Sequence, residues 1–213
     1  MYYAKQREEM VENQLKQRGI RDELVLKAFE EVKRELFVPE NLKSMSYRDQ
    51  PLPIGYSQTI SQPYIVAKMT EMLEIKEDCK ILEIGTGSGY QAAILSKLGS
   101  RVYTMERIGG LRKKAKENLN KHGIKNVQVV QGDGTIGLSQ YAPFDRIIVT
   151  AASPAVPDIL IDQLANNGIM VIPVGSITYQ YLLKLVKKDG EIIQEEYDAC
   201  RFVPLVGRFG FKE

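Results

Sequence analysis

From residue 80 onward, short apolar runs alternate with segments of helical period, and this alternation restricts the fold more than any other feature of the chain. Lys80–Ile84, Arg101–Glu106, Val127–Val130, Phe144–Val149 and Gly168–Pro173 read as strands. Tyr90–Leu98, Leu111–Lys121 and Pro157–Leu164 read as helices between them. The strands are nearly continuous apolar runs, so they need cover on both faces. The pattern therefore predicts an α/β fold with a doubly wound, mostly parallel sheet. Gln180–Lys187 and Glu191–Phe202, with Asp189-Gly190 between them, predict a C-terminal β-hairpin.

The first sixty residues follow another pattern. Lys5–Arg18 reads as a charged helix with apolar Met10, Val11 and Leu15, stopped by Gly19. Asp22 is placed to cap a second helix that sets Leu24, Val25, Ala28, Phe29 and Val32 to one side. Pro39, Pro51 and Pro53 then punctuate a stretch, Tyr47 to Tyr56, expected to be irregular. Its apolar and tyrosine content is too high for a free linker, which points to a functional segment.

Composition removes several classes of function. Hydrophobic residues are 44% and charged residues 26% of the chain, an ordinary globular balance. Lys+Arg 29 against Asp+Glu 27 leaves a net charge of +2, which predicts no nucleic-acid partner and no membrane partner. The basic run Arg112-Lys113-Lys114-Lys116 lies on a helix without interleaved aromatics and reads as a solvated face. Two cysteines, Cys79 and Cys200, make no disulfide framework and indicate a reducing compartment. A single histidine, His122, excludes a two-histidine metal site. The charged N-terminus and the lack of a long apolar run lead to the expectation of a soluble, cytoplasmic protein.

The first strand of the alternating region runs into Glu83-Ile84-Gly85-Thr86-Gly87-Ser88-Gly89-Tyr90. Three glycines at alternate positions let the backbone turn tightly and approach a ligand. The next strand ends in Glu106, 21 residues after Gly85, where a carboxylate can accept both hydroxyls of a ribose. After the third strand comes Gly132-Asp133-Gly134, where an aspartate can accept from an adenine amino group. This register at successive strand ends points to an adenosine-containing ligand. Glu83 decides which one. A pyrophosphate disfavours a nearby carboxylate, whereas the sulfonium and ammonium groups of S-adenosylmethionine tolerate it. The spacing also departs from G-x-G-x-x-G, with Tyr90 at the place of the third glycine.

The acceptor is narrowed by what is missing. Val149-Thr150-Ala151-Ala152-Ser153-Pro154 follows the fourth strand, where methylases of exocyclic amino groups tend to carry Asn/Asp-Pro-Pro-aromatic. No cysteine stands there for attack on cytosine C5. Ser61 precedes Gln62-Pro63 and an apolar-periodic helix containing Ile65, Val66, Met69, Met72 and Leu73, so it reads either as an N-cap or as a polar group beside a helix N-terminus suited to an anion.

Pro53-Ile54-Gly55, Gln58-Thr59-Ile60-Ser61-Gln62-Pro63, Leu82 to Tyr90, Gly132-Asp133-Gly134, Phe144 to Ala152 and Arg201-Phe202-Val203-Pro204-Leu205 together resemble the protein-L-isoaspartate O-methyltransferase family, in order and over nearly the whole chain. The glycine loop is common to many methyltransferases; the Thr-Ile-Ser-x-Pro stretch and the Arg-Phe-Val-Pro-Leu tail are far more specific. The resemblance implies methyl transfer from S-adenosylmethionine to the free α-carboxylate of L-isoaspartyl residues in damaged proteins and peptides. Repair then proceeds through a succinimide. It implies an active-site serine at Ser61, with Thr59, Ile60 and Val203 binding the acceptor backbone. The cofactor set expected is Glu83, Gly85, Thr86, Gly87, Ser88, Gly89, Glu106, Asp133 and Gly134, with no metal. Family members often carry His where this chain has Tyr64. A carboxylate ionises near ~3.5–4, so in-line displacement requires no general base.

The expected organisation is one methyltransferase domain over 1–213 and a monomer. Residues 1–62 supply N-terminal helices and the acceptor-site segment, 63–175 the cofactor-binding core, and 176–213 the C-terminal strands. An enzyme of the same superfamily acting on a small molecule or RNA, or a non-catalytic nucleotide-binding module, remain alternatives at this level.

Overall fold

The computed structural model describes residues 2–212. Its core is a seven-stranded sheet of β3 (Lys80–Ile84), β4 (Arg101–Glu106), β5 (Val127–Gln131), β6 (Phe144–Val149), β7 (Leu164–Gly175), β8 (Gln180–Lys188) and β9 (Glu191–Cys200). Their order is β5-β4-β3-β6-β7-β8-β9, with β3 to β7 parallel and β8 and β9 antiparallel to their neighbours. The order reverses between β3 and β6, so a crevice opens beyond their carboxyl ends, the usual ligand position in such sheets.

The apolar strands are covered on both faces, as their composition requires. On one face Leu82, Ile84, Met105, Ile147 and Val149 pack with Leu160 of α6 (Asp158–Asp162). On the other, Ile81, Val102 and Ile148 pack with Met69 of α3 (Pro63–Met72) and Leu95 of α4 (Tyr90–Leu95). A further cluster joins the N-terminal segment to α4 and to α5 (Gly109–Lys121) through Phe29, Phe37, Tyr90 and Leu111. Among the described residues no helix is long and apolar enough to cross a membrane, and no His/Cys/Asp/Glu group has metal-ligand geometry.

Several local expectations change. The Lys5–Arg18 helix is α1 (Tyr2–Glu9), a π-helical stretch Met10–Leu15 and a 3-10 turn Lys16–Arg18, ending at Gly19 with φ +97°. Widening the helix there buries Met10, Val11 and Leu15. Asp22 caps α2 (Glu23–Glu31) as expected, accepting from the amides of Leu24 (2.8 Å) and Val25 (3.1 Å), but Leu24 points to solvent and Leu26 is buried instead. The stretch expected to be irregular holds a small antiparallel hairpin, β1 (Leu52–Gly55) and β2 (Gln58–Ile60). It is stabilised by burying Leu52, Ile54 and Ile60, a long-range gain that local proline spacing does not reveal. The helix from Pro157 shortens to α6, and β7 begins four residues before the glycine that marked it in the sequence. His122 ends α5, with its ring stacked on Phe37 at 4.7 Å.

Candidate active site

The glycine loop leaves β3 and folds over β4, with the amides of Gly85 and Thr86 both donating to the Met105 carbonyl (3.0 and 3.1 Å). Gly85 has φ +99°, and a Cβ there would collide with the Thr150 hydroxyl. That hydroxyl donates to the Gly85 carbonyl at 2.7 Å, so the end of β6 braces the loop from behind. Glu106 braces it from the other side. Its Oε2 accepts from the Gly87 amide (2.8 Å) and its Oε1 from the Ile108 amide (2.9 Å). Each oxygen retains a further lone pair for a ligand hydroxyl.

These strand ends line a cleft of about 1040 Å³, open to solvent at its mouth. It brings together ten of the residues singled out in the sequence: Gly85, Thr86, Gly87, Ser88, Glu106 and Gly134 from the sheet, Thr59, Ile60 and Ser61 from β2 and its exit, and Val203 from the tail.

Three expected residues do not line it. Gly89, with φ +88°, starts α4. Asp133, given to an adenine amino group by the sequence reading, accepts bonds from the chain itself: Oδ1 from the Thr135 amide (2.9 Å) and hydroxyl (2.7 Å), and Oδ2 from the Arg208 amide (2.8 Å), which leaves Oδ2 a further lone pair. Partial burial alone would raise its pKa, but these bonds and the nearby Arg107 outweigh burial and hold it below the usual value. Asp133 thereby fastens the C-terminal tail over the turn after β5. Glu83 is wholly buried beneath the loop, on the strand face it shares with Thr104, and neither carboxyl oxygen has a hydrogen-bond partner. Burial, with a smaller push from Glu106 and a counteracting Thr104 hydroxyl, raises its pKa to about 8. In a strand that is otherwise apolar, this carboxyl has exchanged solvent for no more than the pull of the Thr104 hydroxyl, which costs stability unless a ligand compensates.

A second cavity, about 1970 Å³, opens on the far side of the same wall and is bounded by Arg18, Tyr64, Lys68, Tyr197 and Arg201. Ser61, Thr59, Ile65, Thr150, Phe202 and Val203 border both cavities. The tail is held there by β6: the Ala152 amide donates to the Val203 carbonyl (2.9 Å), and the Leu205 amide to the Ala152 carbonyl (2.7 Å). Arg18 pairs with Asp49 and lies 3.5 Å from the Tyr64 ring centroid.

Ser61 is not the cap of α3. Gln62 occupies that position without a side-chain cap bond, its amide donating instead to Asp49 Oδ2 (3.2 Å), and Asp49 Oδ1 accepts from the Tyr64 amide at 3.0 Å in its place. The helix N-terminus thus already holds a carboxylate of the chain itself, which corrects the picture of an open anion site there. The Ser61 hydroxyl is left without a partner among the described residues, half-buried between the two cavities. Sequence reasoning missed Thr150, Ile108 and Phe202. Thr150 was findable, since it directly follows a strand whose carboxyl end had to face the crevice; Phe202 adjoins the named Val203; Ile108 enters because Glu106 binds its amide.

The family profile described as protein-L-isoaspartate(D-aspartate) O-methyltransferase matches residues 5–210. A protein-L-isoaspartate O-methyltransferase of Methanoculleus marisnigri is 52% identical over 208 residues, covering 98% of this chain and 94% of its own. A solved structure named protein-L-isoaspartate O-methyltransferase superposes with a TM-score of 0.88 at 31% identity, over 96% of this chain and 67% of that one. A Plasmodium falciparum structure whose description names the same enzyme, solved in complex with S-adenosyl-L-homocysteine, gives 0.82 at 27% identity, over 96% and 98%.

Proposed function

The chain belongs to the protein-L-isoaspartate(D-aspartate) O-methyltransferase family, and from that premise we propose how its two cavities divide the reaction. The protein is a methyltransferase that uses S-adenosylmethionine to methylate L-isoaspartyl residues of proteins, the step that begins their repair.

The cleft at the strand ends fits that cofactor. The loop glycines admit close backbone approach, Glu106 keeps lone pairs for a ribose diol, and its carboxylate, with the buried Glu83 carboxyl able to ionise when a cation binds above it, suits a cationic sulfur compound better than a pyrophosphate. Gly85, Thr86, Gly87, Ser88 and Gly134 would hold it through backbone and small side chains, with Glu106 on the ribose. Glu83 acts from beneath the loop, Gly89 by starting α4, and Asp133 by fastening the tail. Bound S-adenosylmethionine supplies a methyl carbon on positively charged sulfur.

The acceptor lies in the second cavity. The Ser61 hydroxyl donates to one oxygen of the isoaspartyl α-carboxylate, and the other oxygen faces the cleft. Thr59, Ile60 and Val203 border the acceptor backbone. Ile60, Ile65, Met69 and Val203 exclude water. The carboxylate is already ionised at neutral pH, so the chain needs no general base. An oxygen lone pair forms the new C–O bond as the C–S bond breaks, and opposite charges merge into neutral products. Holding the groups in line supplies the main acceleration, up to roughly 7–11 kcal/mol in well-oriented systems. The methyl ester then cyclises to a succinimide without help from the protein. Residues 1–213 act as one domain and as a cytoplasmic monomer, with no nucleic-acid or membrane partner; sedimentation as a dimer would contradict the last assembly statement.

The observation that carries this reading is Ser61, with its hydroxyl unengaged on the wall common to both cavities. Labelled methyl transfer to an isoaspartyl peptide and to its aspartyl twin tests it. Only the isoaspartyl peptide should be labelled. Equal labelling of both would sink the acceptor assignment, and tight cofactor binding with no transfer to either would leave only a binding module.

A further inference from the structure

Arg34 is one of the largest side chains in the protein with no exposed surface. Its Nε donates to the Ser46 carbonyl at 2.7 Å and its Nη2 to the Ser61 carbonyl at 2.8 Å. The guanidinium carbon lies 4.8 Å from the centroid of the Tyr90 ring. Nη1 and the Tyr90 hydroxyl are both buried without a hydrogen-bond partner of normal geometry among the described residues. Arg34 forms no ion pair among the described residues. The adjacent Glu35 receives the Tyr47 hydroxyl instead.

A buried cation without a counter-ion costs several kcal/mol, and an apolar side chain of similar volume is often neutral or better for stability. Core filling therefore does not account for Arg34. What it grips is specific: the end of the turn at Ser46, Ser61 two residues before α3, and the first residue of α4 behind the glycine loop. One planar fork thus links the acceptor wall to the cofactor loop. A lysine, with a single nitrogen, cannot reproduce that fork.

We infer that Arg34 is a positioning residue for methyl transfer, fixing the Ser61 backbone so that its hydroxyl faces the acceptor. The inference rests on the reading of Ser61 given above. Arg34 touches neither substrate, and a misplacement of about 1 Å at the reacting groups can cost on the order of a hundredfold in rate.

The test is a double-mutant cycle. Arg34→Lys and Arg34→Met are made alone and together with Ser61→Ala, and kcat and KM for an isoaspartyl peptide, calorimetric affinity for S-adenosylmethionine, and Tm are measured. Each single Arg34 variant should lose at least tenfold in kcat while cofactor affinity stays within twofold. Combined with Ser61→Ala, each should add less than a further twofold. A merely structural role would not make the two losses overlap. Multiplicative losses would overturn the role of Arg34 and leave that of Ser61 standing. Near-wild-type turnover of Ser61→Ala alone would overturn the reading of Ser61, and this inference with it. Should Arg34→Met fail to fold, Arg34→Lys carries the same cycle; loss of the fold in both assigns Arg34 to architecture alone and refutes the proposal.

Discussion

Two buried ionisable groups lie on opposite sides of the proposed transfer site, and neither has a counter-ion among the described residues. Glu83 sits beneath the glycine loop, where a cationic cofactor is to bind; Arg34 sits behind Ser61, where an anionic acceptor is to bind. Among the described residues the acid has no hydrogen bond of normal geometry, whereas the base has two. The difference follows from construction. Glu83 is on a rigid central strand whose backbone needs are met by β4 and β6, so its side chain has no structural task. Arg34 lies among turns that lack a ladder, and it supplies the hydrogen bonds those turns need. The proposed cofactor side is prebuilt by the sheet, while the proposed acceptor side is tied together by side chains.

Four experiments would break or sharpen that contrast, and the largest effect is expected at Glu83. Its folded pKa is raised from 4.5 to about 8, so the folded state holds a proton that the unfolded state releases at lower pH. Its contribution is fully present below about 4.5 and is lost as pH rises through about 8. A shift of that size corresponds to on the order of a few kcal/mol. Without cofactor, Glu83→Gln should therefore gain in Tm over the parent progressively from pH 5 to pH 8. Parallel melting curves across that range would show that Glu83 carries no burden.

Glu106→Ala comes next. It removes a carboxylate that holds two amides and is proposed to hold the ribose, each charged bond being worth about 1.5–3 kcal/mol. Calorimetry should show cofactor affinity lower by roughly a hundredfold. Unchanged affinity would remove the adenosine assignment. Ser61→Ala should then lower turnover at least tenfold, about 1.4 kcal/mol, with cofactor binding preserved. Full activity would erase the acceptor half of the comparison. The smallest effect is expected for Asp49→Ala, which removes the cap on α3 and the partner of Arg18. A cap is worth about 1 kcal/mol, or roughly 2–4 °C in Tm for a chain of this size. A rise in peptide KM should accompany it, and a variant unchanged in both would show that side-chain ties on the acceptor side are dispensable.

The cleft at the strand ends was largely legible in the sequence. The glycine loop and Glu106 occupy consecutive strand ends, and a parallel sheet delivers consecutive strand ends to one crevice. Asp133 adds what that logic cannot supply. Its position after a strand end was legible, but its bonds to Thr135 and to the Arg208 amide, 75 residues further along the chain, were not. The acceptor side was legible only through the resemblance of short motifs to a known family. The cap from Asp49, the grip of Arg34 on Ser61 and the tie between Ala152 and Val203 all join segments with no periodic relation in sequence.

The sequence by itself determined the parallel sheet, its cofactor crevice and the set of residues at the strand ends, because apolar periodicity and glycine spacing act over a few neighbouring residues. Tertiary structure alone decided that Ser61 is relieved of capping, that Glu83 is sealed without a partner, and that Arg34 is buried against the serine. Those outcomes depend on which hydrogen-bond donors and acceptors meet once distant segments have packed, and each is settled by competition between groups that local pattern cannot bring together.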